Sequence, residues 1–170
     1  MKNICFVAGD PSGDQHAAEL LRALLKRKPD LVFSGLGGPL MQNAGMHLID
    51  DLTKAAAIGP LDASKHIGHL LSAKKMLQAH IEKEKPDRVV LVDFGDYNLP
   101  FIAPMIKRYN IPTTYFISPQ VWAWGRWRMR YIKKYIDHML VFFPFEETFY
   151  KEHNVPVTLV GHPLVEQSNP

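Results

Sequence analysis

Apolar residues fall along this chain in blocks that alternate between strand length and helix length. Residues 4–8 form a short continuous apolar run of the kind a buried strand shows. Turn chemistry follows at residues 9–14, GDPSGD, and then Leu20, Leu21, Leu24 and Leu25 recur at helical spacing. The same pattern predicts further strands over residues 31–36, 47–49, 88–92, 113–117, 138–143 and 157–160. Between them it predicts a short helix over 40–43 stopped by Gly45, and a long helix over 61–83, where Ile67, Leu70, Leu71, Met76, Leu77 and Ile81 share faces. Later helices are predicted over 98–109, 126–135 and 145–152. Pro100 sits near a helix start, where proline is tolerated, whereas Pro104 should kink or interrupt its helix.

Strands alternating with helices predict an α/β fold, a Rossmann-like, doubly wound, mostly parallel sheet covered on both faces. The 9–14 loop then lies at the carboxyl end of the first strand, where such folds bind ligands. The helix start behind it offers free N–H groups to an anion such as a sugar phosphate. GDPSGD matches neither G-x-G-x-x-G nor a P-loop, so neither a dinucleotide nor an ATP site is read here. The competing reading is a Gly/Pro turn with Ser12 or Asp14 near the helix N-cap.

Composition narrows the class. A 170-residue chain with 46% hydrophobic and 22% charged residues has the size of one globular domain, or of half a two-domain enzyme. A net charge of +3 gives no reason to expect nucleic acid as a partner. The single cysteine, Cys5, reads as a small buried hydrophobe in a reducing compartment and permits no internal disulfide. The amino terminus has no signal-peptide layout, and no apolar run reaches the ~18 residues of a membrane span. The expectation is a cytoplasmic protein, or one that touches a membrane from the cytosol.

Candidate chemistry concentrates in two stretches. In VDFGDYN, Asp93 ends an apolar strand, so its carboxylate should sit at the crevice mouth, placed to take a proton from a substrate hydroxyl. Asp96 and Asn98 follow within a turn and equally suit helix capping. In SPQVWAWGRWR, three tryptophans must pack or wall a ligand or membrane site. There Trp122 reads as core, while Arg126 and Arg128 suit phosphate or anionic lipid. Arg130, Lys133 and Lys134 continue the basic run and otherwise read as a solvated face. His66 and His69 are three apart on a helix, yet nothing nearby completes a metal site. His162, after the last strand, suits either a ligand or a backbone contact between domains. Residues 55–71, small and apolar with few charges, fit ordinary amphipathic packing or a monotopic membrane contact.

Taken together, VAGDPSGDQHAAELLRAL, FSGLGGPLMQNAGM, KPDRVVLVDFGDYN, YFISPQVWAWGRWR, HMLVFFPFEETFYKEHNVPV and VGHPL resemble the N-terminal half of the lipid-A-disaccharide synthase family, in the family's order and over nearly the whole chain. The resemblance implies a GT-B glycosyltransferase with the active site between two Rossmann-like domains. It implies transfer from UDP-2,3-diacylglucosamine to 2,3-diacylglucosamine 1-phosphate with inversion, giving a β-1′,6 disaccharide and UDP, with no metal and no other cofactor. Residues 1–164 would be the domain that receives the acylated acceptor, peripheral on the cytosolic face of the inner membrane. Residues 165–170 would begin a linker to a C-terminal domain that holds the UDP-sugar donor. By position, Asp93 matches the family's proposed base, Ser12, Gly13, Asp14 and Asn98 fall on its other motif positions near the cleft, and Arg126 lies in the W-A-W segment; Asp10, Asp96, Ser118, Gln120, Trp124 and His162 complete the candidate substrate-binding residues. Arg128, Arg130 and Lys133 of the basic run are the candidates for membrane or phosphate contact.

The chain departs from the family pattern where Asp10 stands for glutamate, where Gly95 stands for proline, and around residues 61–64. Without a donor domain it is expected not to turn over alone. The rivals are a non-catalytic module of the same fold that binds acylated sugar or a partner, and another GT-B or sugar-nucleotide enzyme with a soluble acceptor.

Overall fold

The computed structural model describes residues 2–56, 63–121 and 127–161. Trp122, Trp124, Arg126 and His162, and the proposed boundary at 164, lie outside the described residues. In chain order the elements are β1 (Asn3–Ala8), α1 (Pro11–Arg27), β2 (Val32–Gly37), α2 (Pro39–Asn43), β3 (His47–Asp51), α3 (Thr53–Ala56), α4 (Ala63–Glu84) and β4 (Arg88–Val92). There follow α5 (Gly95–Tyr97), a π-helical turn (Asn98–Ile102), α6 (Ala103–Lys107), β5 (Thr113–Phe116), α7 (Arg128–Tyr135), β6 (His138–Val141), α8 (Pro144–Glu152) and β7 (Val157–Leu159).

The strands form one parallel sheet in the order β3-β2-β1-β4-β5-β6-β7, so the order in which strands are added reverses between β1 and β4. This is the doubly wound sheet that the alternating pattern predicts, and the reversal makes the crevice at the carboxyl ends of β1 and β4 its ligand-binding position. Strand residues are apolar on both faces because both are covered. Cys5, Val7, Val89, Leu91, Tyr115 and Met139 face a layer with Leu77, Ile81, Ile106, Ile132 and Tyr150. Phe6, Ala8, Val90, Val92 and Phe116 face a second cluster with Ala17, Ala18, Leu21 and Met41. Cys5 is fully buried, and burial pushes its thiol up to about 12, which leaves it unreactive at neutral pH.

Register brings the functional edge into line. Ala8 pairs with Val92, Val92 with Phe116, and Phe116 with Leu140, so these four stand in one row. Gly9, Asp93 and Ile117 therefore emerge at a common rim, with Asp93 N–H donating to the Phe116 carbonyl and Ile117 N–H to that of Leu140.

The prolines behave as their chemistry requires. The segment expected to be one helix over 98–109 is broken: Pro100 falls inside the π-helical turn, closed by Ala103 N–H donating to the Asn98 carbonyl, and Pro104 falls in the first turn of α6. β3 runs two residues further than expected, to Asp51, and β6 stops two residues sooner, because Pro144 starts α8. The N-cap of α1 is Asp10 rather than Ser12 or Asp14, and Pro11 opens the helix.

Candidate functional site

A hollow of about 260 Å³ opens at the carboxyl ends of β4, β5 and β6. Asp93, Ser118, Gln120 and Glu146 supply its polar lining, and Ile117, Phe142 and Phe143 the apolar one. The backbone that presents these groups is strained: Asp93 (φ 43°), Phe94 (φ 50°) and Ile117 (φ 66°) all occupy the left-handed region. Each such residue costs on the order of 1–2 kcal/mol, so neighbouring contacts must hold it. Tyr115 donates its phenolic O–H to the Asp93 carbonyl at 2.5 Å. The fully buried Asn98 donates its amide N–H₂ to the same carbonyl at 2.8 Å, and to those of Val92 and Val7 at 3.3 and 3.5 Å. One amide thus ties together the ends of β1 and β4.

The carboxyl of Asp93 is pushed up to about 6, first by burial and then by the like charge of Asp10. The Phe94 backbone N–H and the Arg128 guanidinium pull the other way. Arg128 itself pairs with the exposed Asp96 and lies over the Trp127 ring. Asp10, Asp93 and Arg128 therefore form one electrostatic group at the rim, and a carboxylate near 6 is mostly ionised at neutral pH yet basic enough to take a proton.

Several expected ligand-facing residues are occupied by the fold. The anion at the N-terminus of α1 is the protein's own: Asp10 accepts the Gly13 N–H at 2.6 Å. Of the helix-start N–H groups expected to face a phosphate, that of Gly13 is therefore already taken. Asp14 is buried, and its carboxylate accepts N–H from Gly38, Leu40 and Met41, each at 3.0 Å, so it clamps the start of α2 rather than facing the crevice. Gly13 is buried and packs near Val92, while Ser12 is exposed. A Cβ on Gly9 would stand 1.9 Å from the Phe94 ring, so that ring is laid against the first loop. The hollow consequently opens on the β5–β6 side of Asp93, away from the 9–14 turn.

Of the remaining candidates, Ser118 and Gln120 join Asp93 around the hollow, with the Ser118 hydroxyl 2.6 Å from that of Tyr150. Arg130 and Lys133 are exposed on α7, where Arg130 lies over the Tyr131 ring at 5.0 Å. Gly95 is required here, since a Cβ would come within 2.8 Å of that of Pro119. The His69 ring nitrogen lies 2.8 Å from the Asp50 carboxylate; among the described residues no three potential ligands gather at a metal site.

Sequence reasoning missed Glu146, Phe142 and Phe143. Glu146 is buried at the start of α8 and accepts the N–H groups of Phe142 and Phe143 at 3.3 and 3.2 Å. The signal was available in FPFE, where an acidic residue three places into a helix can reach back to its cap.

Solved structures with this architecture include sugar-transferring enzymes. A UGT transferase from Siraitia grosvenorii in complex with UDP superposes with a TM-score of 0.63 at 14% identity, over 95% of this chain and 51% of that one. MurG from Acinetobacter baumannii gives 0.53 at 17% identity, over 96% and 46%. At these identities the likeness shows the fold. Sequence relatives are nearer. Lipid-A-disaccharide synthase 1 from Legionella pneumophila is 43% identical over 164 residues, 96% of this chain and 43% of the relative. The Coxiella burnetii lipid-A-disaccharide synthase is 39% identical over 169 residues, 99% and 45%. The chain thus spans less than half the length of these relatives. Because residues 4–170 also match the family model described as Lipid-A-disaccharide synthetase, almost end to end, this chain belongs to that family.

Proposed function

We propose that this chain is the acceptor-side half of an inverting glycosyltransferase of lipid A biosynthesis, with Asp93 as its general base. The observation that carries this reading is a carboxylate at the switch point of a parallel sheet, lining a hollow and raised to about 6. In the reaction, Asp93 accepts the proton of the 6-hydroxyl of 2,3-diacylglucosamine 1-phosphate as that oxygen attacks the anomeric carbon of UDP-2,3-diacylglucosamine. The bond to UDP breaks with its electron pair leaving on the diphosphate, and attack from the opposite side inverts the centre to give the β-1′,6 disaccharide. Residues 1–164 form the acceptor domain in this reading. The donor is held by the part of the family's length that these 170 residues do not span, so the chain alone is inactive.

Membrane contact belongs to the same proposal. Ile67 and Leu71, one turn apart on α4, are 57% and 51% exposed, and Lys74 lies over the exposed Phe101 ring. Such an apolar patch with cations beside it suits the surface of an anionic bilayer on the cytosolic side. Among the described residues no helix is long and apolar enough to cross a membrane.

The test is reconstitution. The chain is assayed with both acylated sugars, with and without the C-terminal half of the Legionella pneumophila relative. Product only in the complemented reaction, reduced about 10²–10⁴-fold by Asp93→Asn, is the expected result. Disaccharide formed by the 170-residue chain unaided, or undiminished by Asp93→Asn, would refute the reading.

A further inference from the structure

We propose that the hollow beside Asp93 is a subsite for one neutral pyranose ring, with Glu146 and Gln120 as the residues that select it by its hydroxyl groups. The proposal rests on the acceptor-side reading above and adds to it the part of the acceptor that enters.

Size is the first argument. About 260 Å³ falls just below the ~300–1,000 Å³ of pockets that hold drug-sized ligands, which is room for a single pyranose ring. The lining is the second. Two carboxylates, Asp93 and Glu146, stand there with the Gln120 amide and the Ser118 hydroxyl, and no cation is among the described lining residues. Carboxylates accept short, strong hydrogen bonds from hydroxyl donors and repel phosphate. Phe142, Phe143 and Ile117 complete the lining with apolar surface that suits the C–H face of a pyranose. Rigidity is the third argument. Glu146 is 5% exposed and held by the N–H groups of Phe142 and Phe143, so it is fixed before any ligand arrives. A ring seated there places a hydroxyl beside Asp93 and leaves its phosphate and acyl groups outside.

The probe is N-acetyl-D-glucosamine, titrated into the ¹⁵N-labelled chain, with inorganic phosphate as the comparison. Saturable shifts of the Ser118, Gln120 and Phe143 amide signals are expected with the sugar and not with phosphate. Glu146→Gln, which keeps an oxygen to cap Phe142 and Phe143, should weaken sugar affinity about tenfold or more. Gln120→Ala, at an exposed position that leaves folding untouched, should weaken it about threefold or more. Sugar shifts absent from the hollow, affinity unchanged from the parent chain in either variant, or phosphate producing the same shifts would each overturn the proposal. Loss of activity in Asp93→Asn would still stand in any of those cases, so the two readings fail separately.

Discussion

The carboxylates of Asp10 and Asp93, one from the loop after β1 and the other from the turn after β4, repel each other at the sheet's switch point, while Arg128 attracts the second. The proton affinity of the proposed base is therefore set by two residues that do not themselves accept the proton. Asp10→Asn removes a like charge and should lower the Asp93 pKa by roughly 0.5–1 unit; Arg128→Gln removes an opposite one and should raise it by a similar amount. The ¹³C shift of the Asp93 carboxyl against pH reads both directly. In the complemented enzyme the acid limb of kcat/KM, near pH 6, should move the same way.

Stability should respond to Asp93 with the sign opposite to that of a salt-bridged carboxylate. Its folded pKa, about 6, lies above the ordinary 3.8, so between those values the folded state binds more protons than the unfolded one. Stability is complete below about pH 4 and declines as pH rises through 6. Asp93→Asn should therefore stabilise the chain at pH 7–8 by about 1–2 kcal/mol, after allowance for solvent screening, and confer nothing at pH 4. Urea unfolding at the two pH values checks this.

Asp14→Ala should behave as a structural lesion. It leaves three N–H groups of the loop before α2 and of α2 itself without their carboxylate, those of Gly38 and Met41 buried, at a cost of about 3–5 kcal/mol. Chemical denaturation should show that loss, and hydrogen exchange should show it first at Gly38, Leu40 and Met41.

Ile67→Ser with Leu71→Ser should reduce cosedimentation with anionic vesicles at low salt by about tenfold, with unchanged thermal unfolding because both side chains are solvent-facing. Equal binding by this double variant would place any membrane contact elsewhere.

Asp93 was legible because a carboxylate that ends an apolar run in a parallel sheet has only the rim to occupy. The strands were legible for the same reason, as runs such as residues 88–92 have no polar face. What the chain hides is sequence-distant hydrogen bonding. Asp14 finds its donors 24 to 27 positions away, and Asn98 reaches Val7 across 91. Residues of those types suit caps, turns and ligands equally until the partners are in place. Glu146 was hidden differently: its cap residue is Phe143, which carries none of the side-chain oxygen that marks a helix start.

The π-helical turn carries one more consequence. Its widened coil holds one residue beyond the ordinary winding, and each residue accounts for about 100° of rotation. Excising a single position between Leu99 and Ile102 would let the coil wind regularly while swinging Asn98 about a quarter-turn from the carbonyls it now gathers. A change that makes the helix more regular would thus release the hold that Asn98 has on the ends of β1 and β4.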